Sequence, residues 1–381
     1  MKKTHKKNLI IIIFAATFML LLSVGSFVKP DVSFSPNENR YFQATPKFSV
    51  KNVLSGKFEE QFEDYLSDQV ILRNTWIKIK SRAEYLAGIR DINGVYVCKS
   101  GRIIEKVSEE DFNWDRYESN LHAVENLMWS LNGTGKCFRV MLVPTAQSIY
   151  SDELPKNALV FDEAKAYEMA ESYFDDFLIN ITDDMKKVLT IEPEHRKTHN
   201  LYYYTDHHWT DEGVRVGYKA FNKSKGLSKN YTVTLETLTD KFHGTLYSKV
   251  LMNEKVYDKI DAPKAAIEKR VHVTLDNVEA DSIFFMDKLE NKDKYEVFFG
   301  GNYGRVDIEQ LTDIAEPHSL LIVKDSYANS FVPYLLDDYT EITMVDTRYY
   351  RGSIIDLADE YDEILVLYSI NNFAGEKILI N

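Results

Sequence analysis

The stretch Tyr204-Thr205-Asp206-His207-His208-Trp209-Thr210 places a carboxylate two residues before an imidazole. In a loop or extended turn, residues i and i+2 can lie side by side. Asp206 can then take the proton on one nitrogen of His208 and leave the other nitrogen as a base. Such a pair is half of a hydrolase-type triad, and the missing half is an activated hydroxyl. Ser326 is the candidate. It follows the apolar run Leu320–Val323 at a strand-to-helix turn, where its backbone N–H can face a developing oxyanion. Serines before helices are also ordinary caps, so position alone does not set Ser326 apart. Further oxyanion donors are sought in Asn371 or Asn372, after the run Ile364–Tyr368, and in Gly300-Gly301-Asn302, whose glycines let backbone approach a ligand. Asn and Gly make turns by default, which is the plain alternative for both. Arg348, followed by Tyr349 and Tyr350, fits a sugar or acidic substrate, or a surface ion pair.

Neighbouring residues take supporting parts. His207 is expected to face away from the site, Trp209 to pack beneath it and exclude water, and Asp325 to bond nearby backbone amides. Thr210, Asp211 and Glu212 fit a helix start. A metal is the rival reading: His195, His199, His207 and His208 fall close together, and His195 and His199 have the i, i+4 spacing of a helical pair. No HExxH is present, and Arg196 and Lys197 separate two of the histidines, so the site is read without metal or cofactor.

The elements that must position these residues alternate. Helical patterns cover 115–131, 164–179 and 211–224, and strand patterns cover 138–143 and 188–191. After an irregular insertion at about 225–318, with β-like runs at 282–285 and 295–299, strands follow at 320–323, 342–345 and 364–368, with helices after Ser326 and near 354–360. Buried apolar strands alternating with helices predict a doubly wound α/β domain. Ligands in such folds sit beyond the carboxyl ends of the strands, where Ser326, Arg348, Asn371 and Asn372 all fall.

Before this domain, Lys2, Lys3, Lys6 and Lys7 precede Leu9–Val28, an uncharged apolar run. Its length suits a bilayer core and exceeds the usual signal-peptide run of about 7–15 residues, although Ser23-Val24-Gly25 offers small residues for cleavage. The reading is an uncleaved single-pass anchor, with the amino terminus cytoplasmic and the remainder outside. Residues 1–28 are thus tip and anchor, 29–90 a stalk and helical segment, and 91–381 the catalytic domain. The stripe Phe58, Phe62, Tyr65, Leu66 in the second segment is read as plain helix packing. Residues 94–104 read as a hairpin.

Composition excludes some classes. A hydrophobic fraction of 44% with 24 Tyr and 21 Phe is that of a folded chain. A net charge of −13 disfavours nucleic acid as a partner, because phosphate binding needs a basic surface. The two cysteines, Cys98 and Cys137, are read as unpaired thiols, with a disulfide as the lesser alternative, and no CxxC supports a thiolate zinc site.

Tyr204–Thr210 resembles the signature of the DHHW family. The resemblance extends to Asn37-Glu38-Asn39-Arg40 with Pro46, Asn93–Tyr96, Val143-Pro144-Thr145, Gly244–Tyr247, Gly300–Asn302 and Lys324–Ser330. DHHW proteins are similar to SGNH-hydrolase-like proteins that O-acetylate alginate outside the bacterial inner membrane. The resemblance therefore implies a circularly permuted SGNH-hydrolase-like fold, with Ser326 as nucleophile, His208 as base and acid, Asp206 as the orienting carboxylate, and Asn371 or Asn372 at the oxyanion. Lys324 departs from the Gly that many relatives carry before Asp-Ser. The implied partners are a cell-surface polysaccharide and a multi-pass membrane-bound O-acyltransferase that supplies acyl groups. The expected activity is O-acetyl transfer to that polysaccharide through an acyl-enzyme. A carbohydrate esterase of the same fold and a non-catalytic polysaccharide-binding scaffold are the alternatives.

Overall fold

The computed structural model describes residues 2–35, 40–191, 200–227, 233–311, 317–378 and 380. His195, His199 and the Asn37-Glu38-Asn39 motif lie outside them. The chain forms two compact units, Met1–Ile89 with Ser248–Met252, and Arg90–Tyr247 with Asn253–Asn381.

The first unit begins with one helix, Lys2–Val28. Its 22-residue portion Lys7–Val28 holds an 18-residue window of mean hydropathy 2.5 and is long and apolar enough to cross a membrane, about 33 Å at 1.5 Å per residue. The helical pattern that follows is three helices, Val50–Leu54, Lys57–Gln69 and Arg73–Leu86. Gly56 breaks the first junction in the left-handed region at φ 75°, and Leu72 breaks the second at φ 59°. Phe58, Phe62 and Tyr65 stack along one face, at ring separations of 5.9 and 6.4 Å.

The second unit is built on an eight-stranded sheet. Its strands in chain order are β1 (Cys137–Val143), β2 (Leu178–Asn180), β3 (Val271–Leu275), β4 (Val278–Ala280), β5 (Arg305–Gln310), β6 (Ser319–Lys324), β7 (Glu341–Val345) and β8 (Glu363–Ser369). The spatial order is β4-β3-β5-β7-β6-β8-β1-β2. From β7 to β2 the pairings are parallel, and β5, β3 and β4 add an antiparallel wing. Counted from β6, the parallel strands run 2-1-3-4-5, the order of a flavodoxin-like doubly wound sheet. The chain enters that topology part-way round, which is the circular permutation expected.

Both faces are covered, as a parallel sheet requires. Leu320 and Ile322 pack with Trp209, Val214 and Phe331, and their alternates Leu321 and Val323 pack with Leu121, Ala166 and Ile354. Helices Asp211–Ser224 and Tyr327–Phe331 supply the first layer; Trp114–Ser130, Glu163–Phe174 and Ile354–Ala358 supply the second.

Several elements differ from expectation. The helix read to Ile179 ends at Phe174, where Asp175 turns at φ 42°, and Leu178–Asn180 is strand β2. The strand-like run 188–191 belongs instead to helix Thr182–Ile191, whose first turn carries Asp183 and Asp184 at the favourable end of the dipole. The runs 282–285 and 295–299 share one isolated bridge, Phe284 with Phe298, and contribute buried aromatics through irregular backbone. The region read as irregular holds β3, β4, β5 and a hairpin of Leu235–Phe242 with Asp258–Pro263. Residues 91–105 form three short antiparallel strands. Cys98 and Cys137 are both free, and burial pushes the Cys98 thiol up to about 12.

Candidate active site

The topological switch of the parallel sheet lies between β6 and β8, and the chain leaves β6 directly into Asp325 and Ser326. Asp325 is fully buried and fixes this exit. Its Oδ1 accepts from Tyr327 N at 2.9 Å, and its Oδ2 accepts from Ser369 N and Asn372 Nδ2, each at 2.9 Å. Ser326 opens helix Tyr327–Phe331, yet its side chain makes no capping bond. Its Oγ lies 2.7 Å from His208 Nε2 instead. On the far side of the ring, His208 Nδ1 lies 2.6 Å from Asp206 Oδ1, which also accepts the His208 backbone N–H at 3.0 Å. Hydroxyl, imidazole and carboxylate thus form one hydrogen-bonded series, with a late serine brought to a pair much earlier in the chain.

The 204–210 turn is braced from the insertion. Asp206 Oδ2 accepts from Thr245 N at 2.8 Å and from Thr245 Oγ1 at 3.1 Å. Residue 244 must be glycine: a Cβ there would stand 2.2 Å from both Cβ and Oδ2 of Asp206. Buried Asp258 accepts from Tyr204 N at 2.7 Å and from Thr205 N and Oγ1 at 2.8 and 2.5 Å. Trp209 is fully buried, with Nε1 donating to Tyr327 O at 3.1 Å and to Ser330 Oγ at 3.0 Å. The His208 ring lies flat on Tyr295, 3.8 Å between centroids and 9° from parallel. Tyr295 is held by hydroxyl bonds to Ser330 Oγ at 3.1 Å and to Ser326 O at 3.3 Å. One ring therefore touches His208 and Ser326 together.

The ionisation states follow from burial and partners. Burial would raise the Asp206 carboxyl, but the imidazoles of His207 and His208 and the hydrogen bonds outweigh it and hold the group well below the carboxylate range. Burial, reinforced by His207, lowers His208 to about 4 against the opposing pull of Asp206. His208 is therefore neutral at pH 7, with Nδ1–H on Asp206 and Nε2 available to the serine proton.

A family model described as DHHW protein matches residues 112–345, more than half of the chain. The chain belongs to the DHHW family. No curated protein matches in sequence. Among solved structures, a DHHW family protein from Eubacterium siraeum DSM 15702 is 21% identical with a TM-score of 0.59, covering 75% of this chain and 94% of that one. Bacillus cereus PatB1 is 18% identical with a TM-score of 0.61, covering 75% and 99%; the same protein with a sulfonyl adduct is 17% identical with a TM-score of 0.61, covering 74% and 97%. These are likenesses of fold.

The remaining candidates of this DHHW chain are placed differently. Asn372 Nδ2 donates to Asp325 Oδ2, and Asn371 Nδ2 donates to Glu105 Oε2 at 3.2 Å, one hydrogen bond from each amide. Arg348 is bidentate to Asp346, at 2.9 and 2.6 Å to its two oxygens, and lies 3.3 Å from Glu376: a partly buried ion pair. Asn302 is exposed, beyond Gly300 and Gly301 at φ 78° and 155°. Lys324 is buried, with Nζ donating to Asn329 Oδ1 at 2.8 Å, and burial lowers its pKa. His207 does not face away. Its ring lies 4.0 Å from that of His208, its Nδ1 meets Thr245 Oγ1 at 2.9 Å, and its backbone O accepts from Tyr327 OH. Asp206, His207 and His208 offer metal-capable atoms within 4.8 Å of one another. A metal held by Asp206 Oδ1 and His208 would take the atoms now used in the hydrogen-bonded series. Sequence reasoning missed Thr245, Asp258 and Tyr295; only Gly244-Thr245, within the Gly244–Tyr247 resemblance, carried a signal.

Proposed function

We propose that this DHHW chain is an O-acetyltransferase acting outside the cytoplasm on a cell-surface polysaccharide, with Ser326, His208 and Asp206 as its catalytic groups. The observation that carries the reading is the continuous series from Ser326 Oγ through His208 to Asp206, at 2.7 and 2.6 Å, around a neutral imidazole. In the first half-reaction His208 Nε2 takes the Ser326 proton as Oγ attacks the acetyl carbonyl of the donor. The imidazolium then protonates the leaving group, and acetyl-serine remains. In the second, a sugar hydroxyl gives its proton to Nε2 and attacks the acetyl-serine carbonyl; the imidazolium returns a proton to Ser326 Oγ and the ester departs on the sugar. The Ser326 N–H has no acceptor among the described residues, which suits it to the oxyanion of both steps.

Other features support the setting. The fold neighbour PatB1 carries a sulfonyl adduct, and sulfonyl electrophiles trap activated nucleophiles. Helix Lys7–Val28 suits a membrane anchor, which would keep the chain near a multi-pass membrane protein that delivers acetyl groups. The rival esterase uses the same three groups, and the partly exposed Ser326 would admit water to the acetyl-serine. The test is acetate release from an activated acetyl ester, with and without an oligosaccharide acceptor, by wild type and Ser326→Ala. Acceptor-dependent ester formation, lost in Ser326→Ala, is expected. Acetate release to water alone favours the esterase, and full turnover by Ser326→Ala ends the proposal.

A further inference from the structure

A second concavity lies behind the same turn. It is a cleft of about 550 Å³, walled by Tyr203, Tyr204 and Thr210 of the DHHW turn, by the start of helix Asp211–Ser224, and by Tyr257 with the strand that follows it. Tyr257 stands 51% exposed at the edge. The inner face of its ring lies on His243, at 4.1 Å and 10°, and His243 lies on Tyr247, at 3.9 Å and 14°. His243 is fixed in turn by a 3.0 Å bond between Nε2 and Val256 O. Three stacked rings thus present one rigid aromatic face.

The polar wall has a definite sign. Arg215 is shared between Asp211, at 3.4 Å, and Glu212, and Lys259 lies 2.7 Å from Asp261. Asp258 adds a further carboxyl, so acids outnumber bases and an anionic ligand is repelled. The apolar C–H face of a pyranose covers an aromatic ring with little entropic cost, and its hydroxyls donate to carboxylates.

We infer that this cleft is an anchoring subsite for a non-anionic saccharide (neutral or N-acetylated amino sugar), an inference that rests on the acyl-transfer reading and names the class of polymer it serves. The bound segment lies against the back of the turn that carries Asp206 and His208. Asp258 joins the two sides, lining the cleft while holding Tyr204 and Thr205. A uronate polymer fits this wall poorly.

The experiment uses the full chain in detergent micelles, titrated calorimetrically with chitohexaose, cellohexaose and hexamannuronate. At least one of the first two is expected to bind, and hexamannuronate to bind more weakly. Tyr257→Ala is expected to weaken binding about tenfold, the scale of one aromatic contact. Tyr257→Phe, which keeps the platform, and Ser326→Ala, which keeps the cleft, are expected to bind as wild type. Failure of both non-anionic sugars, tighter binding of hexamannuronate, or unchanged binding by a folded Tyr257→Ala overturns the inference. Because Ser326→Ala is scored for binding here and for turnover above, subsite and catalytic reading fail separately.

Discussion

Two turns meet at the His208 Nε2–Ser326 Oγ contact, and they are built by different means. The turn from Asp325 to Ser330 is fixed by the sheet: Asp325 ties the end of β6 to the end of β8 and to Asn372 beyond it. The turn from Tyr204 to Thr210 is fixed by residues inserted between sheet elements, namely Thr245, Asp258 and Tyr295. Their buried carboxylates differ accordingly. Two imidazoles hold Asp206 low, whereas burial outweighs the hydrogen bonds of Asp325 and pushes it up. The position of Ser326 is thus set chiefly at the end of the sheet, and the position of His208 chiefly by loops laid over it. Trp209, Tyr327 and Tyr295 bond across the two turns and couple them.

The largest effect is expected from Asp206→Asn, whose amide can accept on one side only, so that it favours the wrong His208 tautomer or leaves Thr245 N without its acceptor. Acetyl transfer should fall about 10³–10⁴-fold, with a loss of stability on the order of 1–3 kcal/mol for the buried N–H left unpaired. The supports come next and separate the turns. Asp325→Ala removes three hydrogen bonds to a buried carboxyl and should cost on the order of 2–3 kcal/mol in urea unfolding. Asp258→Ala should cost a similar stability, since Tyr204 N and Thr205 N lose their acceptor, but should also lower kcat about tenfold in the folded fraction by freeing the 204–210 turn. Equal kcat losses in the two variants would erase the distinction drawn between the turns. Tyr295→Leu removes the plate beneath His208 and should lower kcat about tenfold, while Tyr295→Phe keeps the ring and most of the rate.

The smallest effect is in pH dependence. His208 is lowered from 6.5 to about 4 in the folded chain. A depressed folded pKa means that the unfolded chain binds the extra proton first as pH falls. The associated stability is complete above about 6.5 and is lost as pH drops toward 4. The acid limb of kcat/KM should likewise lie near 4 in wild type. A limb that stays near 6.5 would show that the burial of His208 does not govern its titration.

The sheet was legible where strands are continuous apolar runs bounded by turns, as at Val140–Val143, Leu320–Val323 and Ile364–Tyr368. Strand β2 was not, because Leu178-Ile179-Asn180 is too short to show a period and follows a helix directly. Val188-Leu189-Thr190-Ile191 misled for the opposite reason: its β-branched side chains suit a strand, but Met185 and Leu189 face one core from a helix. Within the candidate site, Asp206, His208 and Ser326 could be nominated because chemistry restricts which residue types can serve, and the structure brings their side chains together. Asp258 and Tyr295 were not, because a carboxylate that holds amides and a ring that supports a ring have no fixed spacing from what they support. The hydrogen bonds of Asn371 to Glu105 and of Asn372 to Asp325 likewise join residues far apart in the chain, which no local pattern records.

The permuted strand order has a consequence for how the protein is made. β6 and β1 never touch; β8 lies between them and pairs with both. In chain order β1 and β2 come early and β6 and β7 much later, as two half-sheets with no shared edge until Glu363–Ser369 is added. A chain cut before that strand would leave the flanks of β1 and β6 unpaired, and pairing them requires closing long loops. The strand that completes the sheet thereby acts as its keystone, and the Asp325 turn that carries Ser326 is tied down only once it is in place.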